Sequence, residues 1–121
     1  FIQKNPPQRL IIDPLSPLVF SAQNHQNVAR YIRQLVFRLE AQSDFTTLMT
    51  SPVPVGSNRL SKNDIEEFIS SGVIHLTCDK HESQYKRQIM VKKMRGSAID
   101  LAEHTFKIVP KDGIVLTKSE L

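Results

Sequence analysis

The 121-residue sequence has no tryptophan, one cysteine (Cys78) and four glycines. A single cysteine excludes a disulfide within the chain and favours a cytoplasmic protein. No apolar run approaches the ~20 residues that a membrane-spanning helix needs, so we expect no membrane partner. The histidines lack metal-site spacing, and none of the glycines belongs to a phosphate loop of the G-x-x-x-x-G-K-[ST] type. Within this chain, these absences argue against an internal disulfide, a membrane-spanning helix and a histidine-bound metal site.

The size and composition of the chain favour one compact domain. Hydrophobic residues make up 40% of the sequence and charged residues 23%, which is enough for a core in one domain and too little for two. We therefore expect residues 1–121 to form a single domain. The chain starts at Phe1 rather than Met, and we expect it to be part of a longer protein. Its net charge of +4 is compatible with a polyanionic partner and equally with an ordinary solvated surface.

The first part of the chain predicts a strand–helix–strand unit. Residues 8–13 form a continuous apolar run that is typical of a strand buried on both faces. Residues 24–42 place apolar side chains at helical spacing, and residues 45–50 form a second short strand. This order is typical of the βαβ unit of a parallel sheet.

The second part of the chain predicts a loop, a short helix and two antiparallel hairpins. Residues 51–60 are rich in Pro, Gly and Ser and predict a loop. We expect Ser61 to be the N-cap of a helix that stops at Gly72. Four strands are predicted, at residues 73–78, 87–93, 104–109 and 114–116. A longish loop at 79–85 joins the first two, and a turn at Lys111-Asp112-Gly113 joins the last two.

Asp13 is the best candidate for a site residue in this sequence. It ends the first predicted strand, and a carboxylate in that position requires a partner such as Mg²⁺ or its bound water. The alternative, an Asp that only caps the turn at Pro14, is about as well supported by the local pattern. Thr50 and Ser51 end the second strand and would meet Asp13 at the carboxyl edge, where they could contact a phosphate. Simple turn residues before Pro52 are the alternative for this pair.

Lys93 and Arg95 form a second candidate group. Residues two apart on an extended strand lie on the same side, so both cations could reach one anion. Gly96 would let the backbone turn directly after them. The alternative is a basic edge strand that discourages aggregation, which the neighbouring Lys86, Arg87 and Lys92 support.

The order of these segments resembles the C-terminal half of a RecA-superfamily ATPase, most closely its KaiC-like branch. Residues 9–18 resemble the Walker B strand and its turn, and residues 46–51 resemble the next core strand. Residues 64–76 resemble the family's helix and strand of the type "EEFVADGVI-L". The most specific piece is Lys93 to Ser97, which resembles part of the "LKMRGS" segment. Residues 106–115 resemble the terminal hairpin.

The resemblance implies an α/β fold: a partial RecA-type core with a short parallel sheet and flanking helices, extended by antiparallel hairpins. It also implies a ring or other homo-oligomer that binds ATP and Mg²⁺. By similarity Asp13 would help to hold Mg²⁺, Thr50 and Ser51 would lie at the nucleotide, and Lys93 and Arg95 would reach a neighbour's ATP. Residues 52–60 would contact DNA or a partner protein. The phosphate loop lies upstream in the family, so the isolated chain is expected to be inactive.

Three functions are compatible with these residues. The resemblance favours part of an oligomeric KaiC-like ATPase with a regulatory or signalling role. A RadA-like DNA-recombination ATPase is the second, and salt-dependent binding of single-stranded DNA would indicate it. A non-catalytic interaction module is the third, and a longer chain without a phosphate loop would indicate that.

Overall fold

The computed structural model describes residues 7–20, 24–42, 44–54 and 56–117. The chain divides into two compact units, residues 1–70 and 71–121, each described by itself. The first unit contains a parallel strand pair with helices, and the second contains an antiparallel sheet. This mixed α/β architecture confirms the predicted fold class. That residues 1–121 form a single domain stays a prediction.

The predicted βαβ unit is confirmed in the first unit. Strand β1 (Arg9–Ile12) pairs in parallel with β2 (Thr46–Met49), with Arg9 opposite Thr46 and Ile12 opposite Met49. A 3₁₀ helix (Ser16–Val19) and helix α1 (His25–Glu40) lie between the strands in the chain. Because the two strands run in the same direction and in register, the residues that follow them lie at the same edge.

Helix α1 provides most of the core of the first unit. It begins after Asn24, whose Oδ1 accepts a hydrogen bond of 2.9 Å from the Asn27 N–H, a standard N-cap contact. Ile32 and Val36 are buried one helical turn apart and pack in one cluster with Leu15 and Val19. Ile12 and Met49 pack against this cluster from the ends of the two strands. The core therefore fixes the strand ends that carry Asp13 and Thr50.

The expectation that the first strand is buried on both faces is wrong. Exposed and half-buried residues alternate along β1 and β2, and Ile11 and Leu48 are 66% and 53% exposed. Alternate side chains of a strand point to opposite faces, and only the face with Ile12 and Met49 packs on the described core.

The expected helix boundaries at Ser61 and Gly72 are also wrong. Helix α2 (Glu66–Ile69) is a single turn whose N-cap position is Ile65. Ser61 lies five residues before it and is buried. Ser70 is the C-cap in extended conformation, and Gly72 already belongs to the next strand. A Cβ on Gly72 would lie 2.8 Å from the Met94 Sδ, so close packing inside the sheet explains this glycine.

The second unit is a four-stranded antiparallel sheet in sequence order. Its strands are β3 (Gly72–His81), β4 (Gln84–Met94), β5 (His104–Val109) and β6 (Gly113–Leu116). Both predicted hairpins are confirmed. The expected longish loop at 79–85 is wrong, because β3 and β4 continue through most of it, with Lys80 opposite Tyr85. The segment is polar although it forms strands, because residues 78–87 are exposed to solvent.

The β5–β6 turn needs two residues in the left-handed region of backbone space. Lys111 has φ 73° and Gly113 has φ 78°. Glycine adopts this conformation without steric cost, which explains why the Lys-Asp-Gly sequence marks the turn. No helix in the described part of the chain is long and apolar enough to cross a membrane.

Candidate functional site

Asp13 and Thr50 lie side by side at the carboxyl edge of the parallel pair. The Thr50 Oγ1 donates a hydrogen bond of 2.5 Å to the Asp13 Oδ1. The backbone holds both residues, because the Thr50 N–H donates to the Ile12 carbonyl (3.0 Å) and the Leu15 N–H donates to the Thr50 carbonyl (2.9 Å). The in-register parallel pairing thus brings together two candidates that are 37 positions apart in the sequence.

The Asp13 carboxylate fits one ligand position of a Mg²⁺ ion. The residue is exposed, and the contact with Thr50 uses only part of the acceptor capacity of its two oxygens. Mg²⁺ is commonly held by one or two carboxylates together with waters and substrate phosphates. Among the described residues no group of three or more His, Cys, Asp or Glu side chains could hold a metal ion. Asp13 would therefore supply one ligand from this part of the protein.

The Ser51 hydroxyl faces a different carboxylate. Its Oγ donates a hydrogen bond of 3.0 Å to Glu66 Oε1 and accepts one of 3.3 Å from the Lys62 N–H. In this structure the Thr50 and Ser51 hydroxyls donate to Asp13 and Glu66, respectively. Each hydroxyl of the pair therefore contacts a carboxylate, and the expected contact of Thr50 and Ser51 with a nucleotide stays a prediction.

Glu66 has the densest set of contacts near this edge, and our sequence interpretation assigned it no role in a site. Its carboxylate accepts from the Asn63 side chain at 2.6 Å, from the Asn63 N–H at 3.3 Å and from the Ile65 N–H at 3.3 Å. The Glu66 side chain reaches back three residues to the Asn63 N–H, which is one of the two contacts of a capping box, although here the N-cap position is Ile65. The three-residue spacing of Asn63 and Glu66 is the sequence pattern from which this contact could have been predicted.

The environment of Glu66 favours its charged form. Burial by itself raises the pKa of this carboxyl group. Hydrogen bonds from its own N–H, the Asn63 side chain and the Ile65 N–H outweigh burial and lower the pKa below its ordinary value. Glu66 is therefore a carboxylate at neutral pH and a permanent acceptor for Ser51.

These contacts close the base of the loop at 52–60. Ser51 precedes the loop, and the Lys62 N–H that contacts it follows the loop. Ser61, which is 1% exposed, donates a hydrogen bond to the Glu67 carboxylate. We call Ser51, Ser61, Lys62, Asn63, Glu66 and Glu67 the loop-base cluster.

Lys93 and Arg95 belong to the second unit. Lys93 is half-buried in β4, opposite Val73, whereas Arg95 is exposed and follows the strand. The Arg95 N–H donates to the Ser71 carbonyl at 2.8 Å, and the turn continues through Gly96 at φ 73°. Strand alternation therefore does not align the two cations, because β4 ends at Met94 and Arg95 lies in the turn that follows. The need for a glycine at position 96 agrees with the sequence interpretation.

Comparison with known proteins gives one consistent family. The sequence model of the family described as "ATPase: KaiC" matches residues 1–120. A UPF0273 protein of Pyrococcus horikoshii is 30% identical over 108 residues, which cover 89% of this chain and 42% of that protein. The circadian clock oscillator protein KaiC of Parathermosynechococcus lividus is 28% identical, over 93% of this chain and 20% of its own length.

A solved structure agrees with the sequence relatives. The crystal structure of a KaiC-like protein from Pyrococcus horikoshii matches with a TM-score of 0.81 and 28% identity. The match covers 96% of this chain and 49% of that one. The chain therefore spans less than half the length of these relatives.

Proposed function

Because the chain belongs to the KaiC ATPase family, we propose that it is the C-terminal part of a longer, oligomeric protein that binds and hydrolyses ATP. The observation that carries the proposal is the contact between Asp13 and Thr50 at the carboxyl edge of the β1–β2 pair. Ligands of α/β proteins bind at this edge, outside the carboxyl ends of parallel strands. The single cysteine, Cys78, supports a cytoplasmic location as part of the same proposal.

In this proposal Asp13 holds the metal ion of the bound nucleotide, and Thr50 orients the Asp13 carboxylate. Mg²⁺, when bound, would neutralise charge on the phosphate oxygens. The Thr50 hydroxyl restricts the rotation of the Asp13 side chain, so the carboxylate faces the edge before a ligand arrives. A ligand group that is already oriented loses less entropy on binding.

Lys93 and Arg95 have the second role in the proposal, in which they contact the phosphates of ATP bound to a neighbouring protomer. A guanidinium can make two parallel hydrogen bonds to phosphate oxygens, which suits it to the charge that develops in phosphoryl transfer. The exposed position of Arg95 in a turn closed by Gly96 leaves it at the surface of the second unit. This role requires self-association into a ring or another homo-oligomer.

The loop at 52–60 is the proposed contact with a macromolecule, either a partner protein or DNA. Among its described residues, Pro52, Pro54, Gly56 and Asn58 are exposed, and no regular secondary structure is assigned. Its base is closed by the loop-base cluster, so it projects from a defined position beside Thr50. We propose a regulatory or signalling role as the biological context, and the relative that is named a circadian clock oscillator protein supports it.

The proposal is tested by Asp13→Asn in the full-length protein, with Asp44→Asn as the matched control. Both changes remove one negative charge from an exposed Asp, but Asp44 lies before β2, at the opposite end of the strand from Thr50. We expect Asp13→Asn to lower Mg²⁺-dependent ATP hydrolysis by at least about 10-fold and to raise the Mg²⁺ concentration needed for half-maximal activity. Equal activity of the two variants would contradict the proposal.

A further inference from the structure

The hydroxyls of two neighbouring residues at the end of β2 donate hydrogen bonds to carboxylates from two different segments. Thr50 donates to Asp13, which follows β1, and Ser51 donates to Glu66, which begins α2. The peptide bond between Thr50 and Ser51 therefore joins two residues whose side chains each contact a carboxylate. A displacement of either residue changes the position of the other, because they are adjacent in the chain.

The carboxylate on the loop side is held firmly. Glu66 accepts hydrogen bonds from the Asn63 side chain, from the Asn63 and Ile65 N–H groups and from Ser51. Hydrogen bonds to a charged acceptor are stronger than those between neutral groups. The side chain is half-buried, so solvent competes for these contacts less than it does at the surface.

The loop that follows Ser51 is held at its base by side-chain hydrogen bonds rather than by regular secondary structure. Between Ser51 and Lys62 the chain forms no helix or strand in its described residues, and two contacts of the Ser51 Oγ join the ends. Without these two contacts, a displacement of the loop would also displace the end of β2, and with it the Thr50 hydroxyl that orients Asp13.

We propose that Glu66 is a positioning residue for the metal site: it fixes Ser51, and through the Ser51 backbone it keeps the Thr50 hydroxyl on Asp13. This inference rests on the proposed function, since it assigns the carboxyl edge to Mg²⁺ and nucleotide. It adds a residue that is 53 positions from Asp13 in the sequence and does not itself contact the ligand.

The experiment measures both the binding of Mg²⁺-ATP, by titration calorimetry, and ATP hydrolysis by the full-length protein, each as a function of Mg²⁺ and of ATP concentration. The variants are Glu66→Ala, Ser51→Ala, the double variant, Glu66→Gln and Asp13→Asn, with Glu82→Gln as the charge control at the exposed tip of the β3–β4 hairpin. We expect Glu66→Ala to raise the half-saturating Mg²⁺ concentration about 3–10-fold, less than the 10–100-fold typical of groups that contact a metal ligand directly. The maximal rate at saturating Mg²⁺ should change less than about 2-fold.

The double variant separates positioning from a general loss of structure. If Glu66 acts through Ser51, the effect of Glu66→Ala should be largely absent in the Ser51→Ala background. Additive effects of the two changes would overturn the inference. Glu66→Gln keeps an acceptor for Ser51 and should restore part of the Mg²⁺ response, whereas a lack of any restoration would count against the role of this hydrogen bond.

The Asp13→Asn variant separates this inference from the proposed function. If Asp13→Asn raises the Mg²⁺ requirement and neither Ser51→Ala nor Glu66→Ala does, the positioning role is wrong while the proposed function stands. If Asp13→Asn has no effect, the proposed function fails. In that case the inference fails with it, whatever Glu66→Ala does.

Discussion

The Thr50 hydroxyl donates a hydrogen bond to the Asp13 carboxylate across the ends of two parallel strands. The strand register decides this contact, because Ile12 is opposite Met49 and the next residues are Asp13 and Thr50. A shift of the register by one residue would move the Thr50 side chain to the other face and leave Asp13 without this donor. The predictions below begin with this pair.

We expect Thr50→Val to weaken the site more than the fold. Valine keeps the branched shape of threonine but cannot donate to Asp13. The loss of one hydrogen bond between exposed groups should cost at most about 0.5–1 kcal/mol of unfolding free energy. Urea unfolding measures this cost, and Thr46→Val, at the exposed start of β2, is the control.

In the full-length protein, Thr50→Val should also raise the half-saturating Mg²⁺ concentration, whereas Thr46→Val should not. The same response to Mg²⁺ in both variants would show that Thr50 does not orient Asp13.

We expect the isolated 121-residue chain not to hydrolyse ATP. Phosphoryl transfer requires the β- and γ-phosphates and the metal ion to be held together, and the sequence has no phosphate loop. Phosphate release in the presence of Mg²⁺ and ATP measures this. Turnover above that of the same chain with Asp13→Ala would show that the prediction is wrong.

We expect Arg95 to act on the nucleotide of a neighbouring protomer in the full-length protein. Arg95→Ala should lower the rate of hydrolysis about 10³-fold or more, as the loss of an arginine finger does. Arg38→Ala is the control, since Arg38 is also an exposed arginine and lies near the end of α1.

A mixing experiment tests whether Arg95 acts in trans. Protomers with Arg95→Ala keep Asp13, and protomers with Asp13→Ala keep Arg95, so a mixed interface can contain both residues. Mixed oligomers should then be more active than either variant alone. If mixing is verified and activity does not rise, the trans role is refuted and a basic surface strand becomes the better interpretation.

We expect Glu66 to make the stability of the protein depend on pH in the acidic range. Its pKa is lowered in the folded state from an ordinary value of 4.5. The unfolded chain therefore binds the proton more readily. The stabilisation is present above pH 4.5 and is lost as the pH falls through the lower, folded-state pKa.

Urea unfolding at a series of pH values from neutral to acidic measures this contribution. Glu66→Gln should show a smaller loss of unfolding free energy on acidification than the unchanged protein. Glu82→Gln, at an exposed position, should follow the unchanged protein. Identical pH profiles for Glu66→Gln and the unchanged protein would contradict this role of Glu66.

The strands, helix α1 and both hairpins could be predicted from the sequence because their signals are local. Helical spacing of Val28, Ile32 and Val36 gave α1, and Lys111-Asp112-Gly113 gave the last turn. The helix limits at Ser61 and Gly72 could not be predicted in this way. Ser61 has the residue type of an N-cap, but its hydroxyl is used by the Glu67 carboxylate in a buried contact.

What the sequence by itself determined is the order and type of the main strands and of helix α1, the family, and Asp13 as the residue that follows β1. What only the tertiary structure decided is which side chains meet. Thr50 faces Asp13 and Ser51 faces Glu66, although the two hydroxyls are adjacent in the chain. The reason is physical: alternate side chains of an extended chain point in opposite directions, and only the packed sheet and loop determine which carboxylate lies on each side.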